Sequence, residues 1–339
     1  MSGDGQRRRV SQHARLTRPL TRREFLLDLA ATSGVAAGAV ALGLYAYSDV
    51  PVPPREVVVR HLPDFRVPPS SHHPTLAVVH GTQPEAMVRE AVARLGGIGR
   101  FVSKGDRVLI KPNVGWDRQP EQAANTNPEV VGAIAQLCRE AGASRVWVTD
   151  VSLNDPSRSF FRSGIRAAAE RAGADVKLAT PGDFVTTDMG GSLLRVWPVS
   201  RYFHEADKLI NVPIVKHHSL SGATLAMKNW YGVLGGRRNQ LHQQIHTSIV
   251  DLANAVRPTL TVMDAVRVLK RNGPTGGSLA DVALENTVIA GLDEVAIDAY
   301  SLRFLGLDPV AIPYLAMGEA RGLGVVEWRS LNWVESQVG

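Results

Sequence analysis

The sequence predicts an α/β fold: a mostly parallel sheet with flanking helices and two lobes around a cleft, preceded by an N-terminal apolar helix. Three observations carry this. Short apolar runs alternate with helix-period segments from Thr75 onward. Helix boundaries are marked by capping residues, proline and glycine. A paired arginine precedes a long apolar run near the N-terminus. With 339 residues, 44% hydrophobic and 21% charged, the chain can bury a large core. Residues 1–48 carry seven arginines against Asp4, Glu24 and Asp28. That balance of +4 leaves +2 of the chain's +6 for the rest, which is not the charge of a nucleic-acid-binding body. The single cysteine, Cys138, excludes an intramolecular disulfide and any iron–sulfur cluster held by four cysteines of this chain.

The N-terminus reads as an address. Arg7, Arg8, Arg9, Arg15 and Arg18 lead to Thr21-Arg22-Arg23-Glu24-Phe25-Leu26, and an Ala/Gly-rich apolar run extends from Leu29 to Tyr47. As a helix, that run is about 28 Å long, close to the thickness of a bilayer. The segment 1–48 resembles a twin-arginine export signal, which implies the twin-arginine translocase as partner and a location in the periplasm or on the outer face of the cytoplasmic membrane. Ala46-Tyr47-Ser48 offers small residues for a signal peptidase, so cleaved and membrane-anchored forms both stay open. Residues 49–74 hold seven prolines and read as an extended linker. The body is expected over 75–324, with a tail over 325–339.

Within the body, Thr75–His80 reads as a strand and Pro84–Leu95 as a helix stopped by Gly96-Gly97. Arg107–Ile110 is a second strand, ending in Lys111-Pro112-Asn113. Asn127 caps a helix that starts at Pro128 and ends before Gly142. Arg145–Thr149 is a strand delivering Asp150, Phe160–Ala172 a helix, and Asp175–Leu178, Leu193–Val199 and Lys208–Val215 are further strands. Thr259–Met263 ends at Asp264. A loop rich in glycine, Lys270–Gly277, has the composition of a mobile ligand cover. Asn286–Ala290 is a late strand, and Glu294–Phe304 a helix whose apolar face is interrupted by Asp298. Ligands of open α/β sheets gather at strand carboxyl ends, where this reading puts Lys111, Asn113, Asp150 and Asp264.

The densest chemistry lies in residues 216–246, with four of the ten histidines, two lysines and Arg237-Arg238 beside the break at Gly235-Gly236. Basic side chains at a Gly-rich bend suit phosphate or carboxylate. No GxxxxGK[ST] loop or GxSxG elbow is present, so neither a triphosphate site nor a serine triad is indicated. His217 and His218 point to opposite faces if the strand reaches them. His242 and His246 stand at i and i+4, a spacing that can grip a divalent metal if the segment is helical. The sequence between them lacks the glutamate of HExxH proteases.

The block Asn211-Val212-Pro213-Ile214-Val215-Lys216-His217-His218 through Met227-Lys228-Asn229 and Gly232 resembles the hallmark of the domain of unknown function 362 family. Lys111-Pro112-Asn113, Thr126–Val131, Asp264-Ala265, Asn272-Gly273-Pro274, Asp293–Ala299 and Gly306–Pro309 follow in that family's order. The resemblance implies a two-lobed α/β protein and places His218 and Asp298 in or beside the cleft. Some members carry ferredoxin modules, for which this chain lacks the cysteines. Candidate catalytic groups are Asp150, His218, Asp264 and Asp298. Lys111, Asn113, Lys216, Lys228, Asn229 and Arg237 are the candidates for ligand binding, and His242 with His246 for a metal. The expected function is an exported enzyme acting on an anionic small molecule. A non-catalytic extracytoplasmic binder of an anion or metal, or an accessory subunit of a membrane redox complex, are the other readings, and oligomeric state stays open.

Overall fold

The computed structural model describes residues 21–46 and 58–339. The upstream arginines, Tyr47-Ser48 of the expected cleavage site and the start of the Pro-rich stretch lie outside them. Helix α1 (Arg22–Ala46) stands in its own unit. Its stretch Arg22–Ala41, of mean hydropathy 1.3, is the one helix among the described residues long and apolar enough to cross a membrane.

The second unit, Val58–Gly339, is a single compact body. It opens with β1 (Arg60–His61), β2 (Leu76–His80), α2 (Pro84–Arg94), β3 (Arg107–Pro112), α3 (Pro128–Glu140) and β4 (Arg145–Val148). The expected helix over 160–172 is two helices, α4 (Pro156–Arg162) and α5 (Ile165–Arg171), because Gly164 between them takes a left-handed φ of 73°. Next come β5 (Asp175–Val176), β6 (Phe184–Asp188), β7 (Val196–Ser200), α6 (Tyr202–Glu205), β8 (Lys208–Val212), β9 (Ile214–His218), β10 (Gly222–Thr224) and α7 (Ala226–Asn229). The chain closes with α8 (Ile245–Ala255), β11 (Leu260–Leu269), β12 (Val282–Gly291), α9 (Glu294–Ser301), α10 (Pro313–Ala320) and β13 (Trp333–Gln337).

Ten strands form one sheet, with the order β13-β2-β12-β11-β8-β3-β4-β5; β9 also pairs with β11, and β10 with β9. The pairings are parallel except around β12 and between β9 and β10. The helix-separated strands of the first half make the parallel part, as their connections require. Alternation along each strand feeds two cores. Val108 and Ile110 join Val146, Val148, Ile210 and Val212 under α2, α3 and α5. Leu109 joins Trp147, Leu209 and the residues of α7, α8 and α9 on the other face. Two cores on one continuous sheet thus stand where two lobes were expected. A separate three-stranded sheet, β1-β6-β7, flanks it.

Two boundaries differ from expectation. Proline density in 49–74 forbids regular helix but not burial: Phe65 is 2% exposed, its N–H donates to Arg257 O at 3.2 Å, and its carbonyl accepts from Thr259 Oγ1 at 2.8 Å. The compact body therefore includes the second part of that stretch. The expected tail is equally structural, since β13 pairs in parallel with β2 from Trp333↔Leu76 to Gln337↔His80.

Phe65→Ala is expected to lower folding stability by about 3–5 kcal/mol. The measurement is the urea midpoint at unchanged slope. A spacer residue would leave that midpoint where it was.

Candidate functional site

The carboxyl ends of β3, β4 and the β8–β9 run open onto one cavity of about 280 Å³. Strand β3 delivers Lys111 and Asn113, and β4 leads directly into Asp150. Pro213 interrupts the ladder between β8 and β9, and β9 then carries Lys216 and His218 on one face at the period of two. Helix α7 brings Lys228 and Asn229, and the 3-10 turn Trp230–Val233 brings Tyr231 and Gly232. A further 3-10 segment, Arg238–Gln244, supplies Arg238 and His242. All of these line the cavity, together with Trp116, Leu153 and Pro274.

A buried polar network fixes the floor. Lys111 Nζ is fully enclosed and lies 2.8 Å from Asp150 Oδ1; it donates to Pro112 O at 2.8 Å and to Asn229 Oδ1 at 3.0 Å. The other Asp150 oxygen accepts the Val114 N–H at 2.6 Å. Asn113 Nδ2 also donates to Asn229 Oδ1 (2.9 Å), while Asn113 Oδ1 accepts from Lys216 Nζ (2.8 Å). Behind Asn229, its Nδ2 donates to Asn211 Oδ1 at 2.8 Å, and Asn211 Nδ2 donates to Glu294 Oε1 at 2.6 Å. Glu294 further accepts from Thr261 Oγ1 and Trp230 Nε1, both at 2.9 Å. Apart from Asp150 Oδ1, which meets Lys111 Nζ as an ion pair without a hydrogen bond, the links named are hydrogen-bonded, and such bonding rigidifies a buried site. Gly232 is required beside it: a Cβ there would stand 1.8 Å from Asp150 Oδ1 and 2.6 Å from Lys111 Nζ.

The cations are unequal. Lys111 is held by Asp150, and burial, opposed by that carboxylate, lowers its pKa. Lys216 has neutral acceptors only, Asn113 Oδ1 and Ala124 O; burial first, then the Lys228 charge, pushes its amine down to about 7. Lys228 is 7% exposed, and its Nζ sits 5.1 Å over the Tyr231 ring without a hydrogen-bond or ion-pair partner among the described residues. Burial, then Arg238, brings it also to about 7. The Arg238 guanidinium is clamped by backbone carbonyls, Tyr231 O at 2.9 Å and Val151 O at 2.6 Å.

His218 is a fixed neutral ring. Burial, then Lys228 and Lys216, pushes its pKa down to about 2. Its Nδ1 accepts the N–H groups of Leu220 (3.2 Å) and Ser221 (3.3 Å), so the proton of the neutral ring resides on Nε2. His218 is thereby a hydrogen-bond donor rather than a base. Its ring stacks 6.2 Å from that of His242.

Four expected site residues lie elsewhere. Asp264 sits midway along β11 rather than at a strand end; its two oxygens accept the N–H of Asn127 (2.7 Å) and of Val266 (3.0 Å), clipping the start of α3 to the sheet. Burial, against those two bonds, raises it to about 6. Asp298 accepts the N–H groups of Ala226 (2.7 Å) and Met227 (3.1 Å), which fixes the turn bearing Lys228. Arg237 is exposed, and its neighbour Arg238 takes the cavity position. His242 and His246 do not form a pair: the 3-10 segment ends at Gln244, so α-helical i,i+4 geometry does not join them, and His246 stacks on Tyr314 away from the cavity. Among the described residues, no three His, Cys, Asp or Glu side chains group to hold a metal. His217 accepts the Gly273 N–H through Nδ1 at 3.2 Å.

The loop expected to be mobile is pinned. Lys270 pairs with Glu285 at 2.8 Å, Asn272 donates to Asp281 at 2.8 Å, and Gln122 donates to Gly277 O at 2.9 Å. Pro274 lines the cavity as a fixed wall. Sequence reasoning overlooked Trp116 and Tyr231 as lining residues, and from the pair Arg237-Arg238 it chose Arg237 where Arg238 lines the cavity.

The fold and site define an α/β protein with a cationic cavity at the carboxyl edge of its sheet. The family described as Domain of unknown function (DUF362) matches residues 108–303, and the chain belongs to it. The Thylakoid-associated protein sll1697 of Synechocystis sp. (strain ATCC 27184 / PCC 6803 / Kazusa) is 30% identical over 246 residues, covering 70% of this chain and 75% of the relative. Among solved structures, the lactate racemase apoprotein of Thermoanaerobacterium thermosaccharolyticum is similar with a TM-score of 0.39 and 11% identity over 73% of this chain. A Thermotoga maritima protein gives 0.38 and 14% over 70%. The chain spans 61% and 60% of the lengths of these two structures.

The different pairing of the two lysines has a measurable consequence. Lys111→Met strands the buried Asp150 charge and is expected to cost about 3–5 kcal/mol, whereas Lys228→Met removes an unpaired buried amine and should leave stability unchanged or raise it. Thermal unfolding of the two variants at neutral pH checks this contrast; equal losses would contradict it.

Proposed function

We propose that the cavity takes a small organic anion and that the protein is an enzyme acting on it. One observation carries this reading: Lys216, Lys228 and Arg238 converge on a cavity in which Asp150, the only lining carboxylate among the described residues, is already engaged by Lys111. Buried cations without a carboxylate partner are costly, and a bound anion offsets that cost. Arg238 supplies a permanent charge, while Lys216 and Lys228 add theirs when protonated. The neutral donor at His218 Nε2 favours an enzyme over a passive binder, because it suits a polarised oxygen rather than a second anion.

Calorimetric titration with sulfate and with pyruvate, whose charges are constant near neutrality, tests the anion site. Both lysines are cationic below about pH 7 and lose their protons above it. Affinity is therefore expected to fall about tenfold or more from about pH 6 to about pH 8. Affinity that is flat or rising over that range contradicts the reading. Mass spectrometry of small molecules co-purifying with the native protein separates an enzyme, which returns an altered ligand, from a binder, which returns it unchanged.

We further propose that the N-terminal segment directs export by the twin-arginine route and gives the protein its membrane setting. Arg22-Arg23 at the start of α1, the apolar span that follows and the similarity to a thylakoid-associated protein support this. The translocase reads paired guanidinium groups rather than charge alone. Substituting lysine at both Arg22 and Arg23 should hold the folded protein in the cytoplasm, as read by cell fractionation. Undiminished delivery to the envelope would remove the assignment.

A further inference from the structure

We propose, resting on the anion-site reading above, that Lys228 is a nucleophile that condenses with the carbonyl carbon of an oxo acid bound in the cavity. Three features of the geometry converge on it. Among the three cavity lysines, Lys111 is spent on Asp150, Pro112 O and Asn229, and Lys216 on Asn113 and Ala124 O. Lys228 alone of the three has no hydrogen-bond or ion-pair partner among the described residues, its nitrogen lying over the Tyr231 ring and inside the cavity. Arg238, locked by backbone carbonyls, offers a fixed cation for the carboxylate of such a substrate. His218, with its Nδ1 engaged by two N–H groups, offers an Nε2–H to the carbonyl oxygen.

An anion clamp alone needs no free amine and no neutral imidazole donor; a carbonyl needs both. Burial beside another cation is a recognised way of activating a lysine, and at neutral pH a sizeable fraction of Lys228 is unprotonated. In the step, the amine lone pair attacks the carbonyl carbon while the C=O π pair moves onto the oxygen facing His218. A proton passes from nitrogen to that oxygen, giving a carbinolamine. The C–O bond then breaks with a further proton from the Lys216 ammonium. The sum is amine, oxo acid and one proton in, and iminium and water out, with no oxidant or reductant required.

The test uses the full chain with pyruvate and sodium cyanoborohydride near neutral pH, followed by intact mass and peptide mapping. The expected result is a single reduced pyruvate adduct per chain, mapped to Lys228, suppressed by saturating sulfate and lost in Lys228→Arg and Lys228→Met. Wild-type mapping decides even if a variant fails to fold. An unmodified Lys228, or adducts confined to lysines outside the cavity such as Lys104 and Lys208, overturns the inference. If calorimetry then still shows sulfate and pyruvate binding, the nucleophile falls and the anion site stands. If neither ligand binds, both fall.

Discussion

The side-chain amide of Asn229 is the constraint on which the rest of the site depends. Its oxygen accepts from Lys111 and Asn113, and its nitrogen donates to Asn211, so one residue joins β3, β8 and α7. Because an amide has one acceptor end and one donor end, only one orientation satisfies all three neighbours. Asn211 passes that orientation to Glu294, and Asp298 on the same helix fixes the turn before Asn229 from behind. The carboxylates buried under the cavity thus act as anchors for its shape. Their burial is expensive: it raises Glu294, and Asp298 well above the ordinary carboxylate range, although hydrogen-bond donors oppose it.

This arrangement separates cations by role. Lys111 belongs to the scaffold, neutralised and enclosed. Arg238 is a fixed charge whose geometry is set by backbone carbonyls, and Lys216 and Lys228 change charge near neutrality. A cavity built with permanent charges alone would bind anions independently of pH. One in which two of the charges titrate near 7 would tie its occupancy by the proposed anion to the surrounding proton concentration.

Much of the fold was legible because local rules decided it. The strands around Lys111, Asp150 and Lys216 follow from apolar runs, and α3 begins where Asn127 and Pro128 say it should. Lys111 and Lys216 arrive on strands β3 and β9 that apolar runs announce, whereas Lys228 arrives on α7, whose place beside them no local pattern gives. What sequence hid was tertiary. Asp264 and Asp298 have the residue type of catalytic acids, but their role depends on which backbone N–H groups lie opposite, a property of register. Burial of Phe65 among prolines, the pinning of the loop at Pro274 and the choice of Arg238 over Arg237 depend equally on neighbours far along the chain.

The position of β2 has a consequence for the order of events during synthesis. It is the first strand of the main sheet to be made, yet its two neighbours are β12 and β13, near the end of the chain. The apolar run Leu76–Val79 therefore leaves the ribosome without either partner. It waits for more than two hundred residues before the ladder on its first side can form, and longer still, until β13 is made, before the second. Contacts of such separation are slow to close, and an unpaired apolar strand is a template for association with other chains. That strand stays open to such association until β12 and β13 have been synthesised.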